Sequence, residues 1–175
     1  HNPVLGVFNL ICKIYVTVIR GTPMMVQLLI MFMVIFRSRY AVVAAILAFG
    51  INSGAYVAEN IRAGILAVDN GQMEGGRSLG FTYGETMRYI ILPQTVKTAL
   101  PVYKNQFISC LQETSVVGYL AIMDLTRASD IVSARTFDAL FALLAVTLIY
   151  LIIGWGVGAL LNLAERKKHL GGEAQ

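Results

Sequence analysis

Met73-Glu74-Gly75-Gly76-Arg77-Ser78-Leu79-Gly80 puts an acid, a base and a hydroxyl into a short polar block, with Ile90-Ile91-Leu92-Pro93 close behind it and strongly apolar sequence on both sides. What these residue types offer is contact chemistry. They bring charges of both signs for a partner's surface, helix-forming runs to present them, and a proline that fixes φ at the exit. A second candidate is Glu113-Thr114-Ser115, because an ionisable side chain inside an apolar run is costly and commonly faces a cavity or a partner. On a helix Glu113 shares a face with Gln106, Ser109 and Cys110, a polar stripe suited to a solute path. The alternative is that Glu113 lies near the end of its helix and pairs with Lys104 or with the polar block. Asn52, Ser53, Glu59 and Asn60 pose the same choice. Asn52 is deep enough in its run to be a pocket residue, whereas Glu59 and Arg62 read as a local pair at the boundary.

Catalytic chemistry finds no foothold. No G-x-x-x-x-G-K-[ST] phosphate loop occurs, so nucleotide hydrolysis would have to come from another chain. The histidines, His1 and His169, lie in the terminal segments, and no H-E-x-x-H or paired C-x-x-C could hold a metal. Cys12 and Cys110 read as small residues in apolar or interfacial surroundings. No catalytic residue, metal or cofactor is expected.

The elements that carry these residues are apolar. The chain is 57% hydrophobic and 14% charged, with a mean hydropathy of +0.67; a soluble domain carries about 25% charged residues. Four windows approach the ~20 apolar residues of a spanning helix. They are Thr22–Phe36, extendable backwards through Ile14–Ile19; Tyr40–Ala58, with a helical pattern continuing to about Val68; Phe107–Met123, interrupted by Glu113; and Ala139–Ala164. The fold class is therefore all-α, a polytopic transmembrane helix bundle. A soluble core is disfavoured because too little polar sequence remains to cover it.

Cytoplasmic flanks are enriched in Lys and Arg. With the start of the chain inside, Lys13, Arg20, Arg62, Arg77, Arg88, Lys97, Lys104, Arg166, Lys167 and Lys168 are cytoplasmic, against Arg37, Arg39, Arg127 and Arg135 outside. The polar block and the C-terminus thus face the cytoplasm. This asymmetry accounts for the net charge of +4, and nucleic acid need not be invoked.

The block resembles the cytoplasmic coupling loop of ABC importer permeases, E-A-A-x(3)-G-x(9)-I-x-L-P. Glu74, Gly80, Ile90, Leu92 and Pro93 are in register, and Gly75 and Gly76 stand where the family usually has alanines. Glycine costs about 1 kcal/mol relative to alanine in a helix, so the coupling helix is expected to be less stable on its own. Arg20-Gly21-Thr22-Pro23 with Val26-Gln27-Leu28, Ser53-Gly54-Ala55-Tyr56-Val57-Ala58-Glu59 with Arg62-Ala63-Gly64-Ile65, and Glu113-Thr114-Ser115 are similar to signatures of one branch, the polar amino-acid permeases. The resemblance implies a type I importer permease of the bacterial inner membrane: about four spans here, the family's first span missing, residues 1–168 as one permease domain with a coupling loop at about 69–101, and 169–175 as a short cytoplasmic tail. It also implies ABC ATPase subunits, an extracytoplasmic amino-acid-binding protein or fused binding domain, and a second permease subunit, identical or related. Glu74, Gly75, Gly76, Arg77, Ser78, Leu79, Gly80 and Pro93 would serve coupling. Glu113, Thr114, Ser115, Asn52 and Gln106 would line the substrate path. Pro93 and Pro101, each ending a helix, would stiffen the loop into a lever.

Physical reasons accompany the signatures. Pro23 costs no hydrogen bond in a first helical turn, and Thr22 is a suitable cap. Val4–Arg20 then reads as an interfacial helix whose Lys13 and Arg20 reach towards head groups. Gly50 with Gly54, and Gly154 with Gly158, are spaced for close helix contact, within the chain or with a second subunit. Two alternatives stand beside amino-acid import: a permease for another small polar solute, and a non-transporting membrane scaffold or sensor that binds an ATPase.

Overall fold

A computed structural model of the chain describes the backbone of residues 3–172 and the side chains of residues 6–163 and 165. No strand occurs among them. In chain order the elements are α1 (Pro3–Gly21); α2 (Met24–Leu29), running into a π-helical segment Ile30–Ile35; α3 (Ala41–Leu66); α4 (Asn70–Ser78); α5 (Tyr83–Thr86), followed by a second π segment Met87–Ile91; α6 (Leu92–Glu113), followed by a 3₁₀ segment Thr114–Leu120; α7 (Leu125–Thr136); and α8 (Ala139–Gly172). Arg166, Lys167, Lys168 and His169 lie in α8 with undescribed side chains, and the tail positions 173–175, like His1, lie outside the described residues.

Two of the four apolar windows become single helices long enough to cross a bilayer, Ala41–Leu66 and Ala139–Leu163, with α1 and α2 plus its π segment as a possible third, broken span. Only 17% of the α8 window is buried and 28% of the α3 window. Faces so apolar and so uncovered suit lipid rather than water. The window Phe107–Met123 is not one helix: α6 stops at Glu113 and the chain tightens to 3₁₀, with Ala121 left-handed at φ 59°. Thr114, Ser115, Val116, Val117 and Gly118 are weak helix formers, β-branched, hydroxyl-bearing or glycine. Thr114 Oγ1 also donates to the Leu111 carbonyl at 2.6 Å, competing with helix continuation.

The chain forms two compact units, one of residues up to Thr22 with Ile51–Tyr103, the other of Pro23–Gly50 with the chain from Lys104 onward. In the first, Tyr15 Oη donates to the Ile51 carbonyl at 2.6 Å and Tyr103 Oη to the Val57 carbonyl at 3.3 Å. A Cβ on Gly64 would lie 3.0 Å from Thr95 Cγ2, so α3 and α6 meet closely there. In the second, Leu28, Ala45, Ala48 and Leu120 form a small core with Met24, Phe32 and Val116 around it, and α7 packs along α8.

Candidate functional site

The polar block folds as α4 and closes both of its own ends. Asp69 caps the start, its Oδ1 accepting from the Gly71 N–H at 2.6 Å. At the other end the Gly80 N–H donates to the Arg77 carbonyl at 3.1 Å and the Phe81 N–H to the Gly76 carbonyl at 3.2 Å. This is a Schellman termination, and it needs the left-handed backbone that Gly80 supplies at φ +90°. The motif glycine therefore has a backbone reason: a residue with a Cβ would be strained there.

α5 begins with a capping box. The Thr82 hydroxyl accepts from the Glu85 N–H at 3.3 Å, and Glu85 Oε2 accepts from the Thr82 N–H at 2.8 Å. The Thr82 N–H, and next its hydroxyl, hold the Glu85 carboxyl below the usual carboxylate range. α4 is locked onto this turn by shape. A Cβ on Gly76 would stand 2.5 Å from Thr86 Cγ2 and 3.0 Å from Ile90 Cδ1, and both Gly76 and Thr86 are buried. Gly75 is different, with nothing within 4 Å of its would-be Cβ. The two glycines, equivalent as helix-weakening residues in the sequence, are structurally opposite.

Neither proline ends a helix, contrary to the lever expected from them: the helical path is unbroken from Tyr83 to Glu113, with Pro101 inside α6. Pro93 lacks the N–H that the Tyr89 carbonyl would receive, and its ring crowds that carbonyl. The chain widens to π over Met87–Ile91 just before it. Gln94 Nε2 donates to the Ile90 carbonyl at 3.1 Å and Thr95 Oγ1 to the Ile91 carbonyl at 3.0 Å. Side chains thus serve the carbonyls along the widened turn. The segment leaves Glu74, Arg77, Ser78 and Leu79 exposed, Leu79 at 79%. An apolar tip among charges of both signs has the chemistry suited to a contact surface.

Glu59 joins two arginines. Arg62 Nε donates to its Oε2 at 3.0 Å, and Arg20 Nη1 lies 3.4 Å from its Oε1 while its guanidinium stands 5.4 Å from the Tyr56 ring centroid. The expected local Glu59–Arg62 pair is present, and the added partner Arg20 was not legible in sequence spacing.

Glu113 is half-buried at the C-terminal end of α6, the end opposite Leu92. Lys104, its alternative partner, instead pairs with Glu165 and donates to Asn162 Oδ1 at 3.1 Å. Gln106, Thr114 and Ser115 fall in the same unit as Glu113, and Ser115 lines a cleft. Asn52 is buried, at 4% exposure, in the other unit. Gly154 and Gly158 face α6: Cβ atoms there would lie 3.4 Å from Gln112 Nε2 and 3.4 Å from Ile108 Cδ1. This pair therefore makes an intramolecular contact. Gly54 faces the Tyr15 hydroxyl at 3.0 Å, whereas Gly50 meets nothing within 4 Å. Gly64, which does pack closely, carried no G-x-x-x-G signal.

Residues 5–169 match the family described as binding-protein-dependent transport system inner membrane component. The chain belongs to that family. It is 34% identical, over 94% of its length and 83% of the relative's, to a Rickettsia conorii protein that bears the name of a glutamine transport system permease, GlnP. It is also 34% identical to the L-cystine transport system permease protein TcyB of Bacillus subtilis, over 95% of this chain and 71% of that one. A crystal structure of an amino acid ABC transporter with histidines contains a chain 43% identical to it, with a TM-score of 0.81, covering 90% of this chain and 75% of that one. Membership makes this helical chain a permease subunit, an integral inner-membrane component of a transport system, and it places the apolar faces of α3 and α8 in a bilayer.

Proposed function

We propose that this permease carries a polar amino acid inward as the membrane-spanning part of an ATP-driven importer, residues 1–168 acting as one permease domain with the C-terminus in the cytoplasm. ABC ATPase subunits hydrolyse the nucleotide and bear on Glu74–Gly80. An extracytoplasmic binding protein or fused binding domain delivers the solute, and a second permease subunit, identical or related, completes the path. The observation that carries this reading is the 69–93 segment. Its exposed α4 is capped by Asp69, terminated by Gly80 and interlocked through Gly76 with Thr86, on a helical path that runs without a break into α6. Force applied at α4 would pass into α6 rather than be lost in a loose loop, and nucleotide binding by the partner must favour one conformation for anything to shift. The names of the relatives, glutamine, cystine and amino-acid transporters, support the amino-acid class. Glu113, Thr114, Ser115, Gln106 and Asn52 are the residues proposed for the path.

The test is uptake of labelled amino acids by vesicles holding the full-length permease, its ATPase and its binding protein. ATP-dependent uptake that is abolished by Leu79→Asp, with the complex still intact, is the expected result. Uptake of no amino acid, or an uptake indifferent to α4, rejects the reading. Glu113→Gln in the same vesicles distinguishes a charge-reading path residue, which loses cationic substrates selectively, from a structural one.

A further inference from the structure

The 3₁₀ segment and α7 border an open cleft of 440 Å³, with Ser115, Gly118 and Tyr119 contributed by the first and Thr126, Arg127 and Asp130 by the second. Its size is within the range of small-molecule sites, about 300–1,000 Å³. Arg127 and Asp130 are three apart on α7 and so neighbours on its surface, yet among the described residues neither side chain makes an ion pair or a side-chain hydrogen bond. Opposite charges that rim one cleft without neutralising each other leave both free for a ligand carrying both signs. The border is also held in place. Asp124 Oδ1 accepts from the Arg127 N–H at 2.7 Å, and a Cβ on Gly118 would stand 2.8 Å from that same oxygen. The 3₁₀ turn and the first turn of α7 are thus pressed together, which presets the guanidinium's origin before any ligand arrives.

We propose that this cleft is a recognition site for the zwitterionic head of a free α-amino acid: Arg127 receives the α-carboxylate, Asp130 receives the α-ammonium, and the Ser115 hydroxyl is the neutral donor between them. An α-amino acid carries its two charges on two groups bonded to one carbon, which suits a pair of side chains one helical turn apart. A guanidinium grips a carboxylate through its forked N–H groups. Recognition of the head alone leaves the side chain unread, so the site selects the substrate class and not the individual amino acid. The inference rests on the amino-acid reading of the permease and adds where, and by which residues, the class is read.

The experiment measures direct binding to the purified transporter, full-length permease with its second permease subunit and ATPase, in lipid nanodiscs without the binding protein. The probes are L-histidine and L-glutamine, their decarboxylated counterparts histamine and 4-aminobutanamide, and their deaminated counterparts imidazolepropionate and glutaramate. Wild type should prefer at least one zwitterion over both of its analogues. Arg127→Gln should weaken that zwitterion about three- to tenfold, the modest effect expected for solvent-reached charges, and leave its decarboxylated analogue unchanged. Asp130→Asn should do the mirror image, sparing the deaminated analogue. Arg127→Lys, which keeps the charge, should retain part of the carboxylate preference and covers the case in which Arg127→Gln does not fold. Zwitterion binding in wild type with selectivity unmoved in the variants overturns this inference alone, and so does an equal loss for zwitterion and analogues. Unchanged binding with a shifted dependence of uptake on binding-protein concentration assigns the cleft to protein docking and also overturns it. No binding of either amino acid to wild type overturns this inference at its base; transport of some amino acid in the vesicle assay would still uphold the parent reading.

Discussion

The segments 69–93 and 113–138 both connect apolar helices with polar sequence, and they are built in opposite ways. In the first, nearly every end is closed locally: Asp69 caps α4, Gly80 terminates it, Thr82 and Glu85 cap α5, and Gly76 fits against Thr86. In the second, α6 unwinds to 3₁₀, Ala121 and Phe137 are left-handed at φ 59° and 58°, and Phe137 is 95% exposed. Asp124 caps α7 with Oδ1 while Oδ2 is buried with no hydrogen-bond partner among the described residues. A self-closed segment can be pushed as one piece. A segment with open charges and a strained, unpartnered rim is suited instead to receive something.

If local closure is what makes 69–93 a rigid body, breaking the Gly76 interlock should have the largest effect of any change. Gly76→Ala introduces a Cβ that overlaps Thr86 and should destabilise the segment by about 1–3 kcal/mol, with uptake falling more than ATP hydrolysis because the push no longer reaches α6. Thr86→Ala in the same chain should restore much of both. A double-mutant cycle on uptake and thermal midpoint, in which the second change rescues nothing, would refute the interlock. Gly80→Ala comes next, at about 1–2 kcal/mol for a left-handed alanine. Hydrogen exchange should then rise across the end of α4 and stay unchanged in α8.

The corresponding change in the other segment is smaller and depends on chemistry. Asp124→Ala removes the α7 cap and should cost about 1 kcal/mol. Asp124→Asn keeps the acceptor oxygen and places an N–H where the unpartnered Oδ2 lies, so its cost should be below that of alanine. Chemical denaturation of the reconstituted subunit reads both; no cost for alanine would show that the cap contributes nothing, and equal costs for the two would show that the amide oxygen does not replace the carboxylate.

How much of this could be read beforehand follows the same division between local and distant causes. α3 and α8 begin within a residue of the apolar windows that announced them, because a run of that length has few alternatives in a bilayer; α3 follows the helical pattern past Ala58 to Leu66, and α8 continues beyond its window to Gly172. Glu59–Arg62 is an i,i+3 pair and was legible for that reason. The 3₁₀ segment was missed because Val116, Val117 and Leu120 count as apolar in a window, while the β-branching of the two valines and the neighbouring Gly118 work against a helix. Gly64 against Thr95, Arg20 against Glu59, and Gly154 against Gln112 join positions far apart in the chain. Spacing rules say that a small residue or a charge wants a neighbour, and they do not say which. The prolines misled because Pro93 alone argues for a helix end, while the π widening before it absorbs the conflict.

Acid tests the closure of the 69–93 segment through Glu85. Its carboxyl titrates below the ordinary value of 4.5 because Thr82 donates to the ionised form. The capping box therefore contributes in full above that value, and the contribution disappears as pH falls through the lowered one. From about pH 6 to about pH 3 the exchange protection of residues 82–86 should drop in wild type. Glu85→Gln should flatten that profile. A wild-type profile as flat as the variant's would remove the capping box from the account of how this segment is held.

The smallest change in uptake is expected at Gly75, one residue from the largest. Its would-be Cβ meets nothing within 4 Å, and its backbone lies inside α4, so Gly75→Ala should add up to about 1 kcal/mol of helix stability and leave transport unchanged. Related coupling loops usually carry alanine at both places, so the cost predicted at 76 belongs to the Thr86 and Ile90 side chains that face it in this chain. The adjacent pair thus turns one substitution into two opposite tests. Alanine inward at 76 collides with Thr86, and alanine outward at 75 only stiffens the helix. If Gly75→Ala raises the thermal midpoint yet lowers uptake, the open side of α4 is not free in the working transporter, and the proposed ATPase partner would be the group that approaches the backbone there more closely than a methyl group allows.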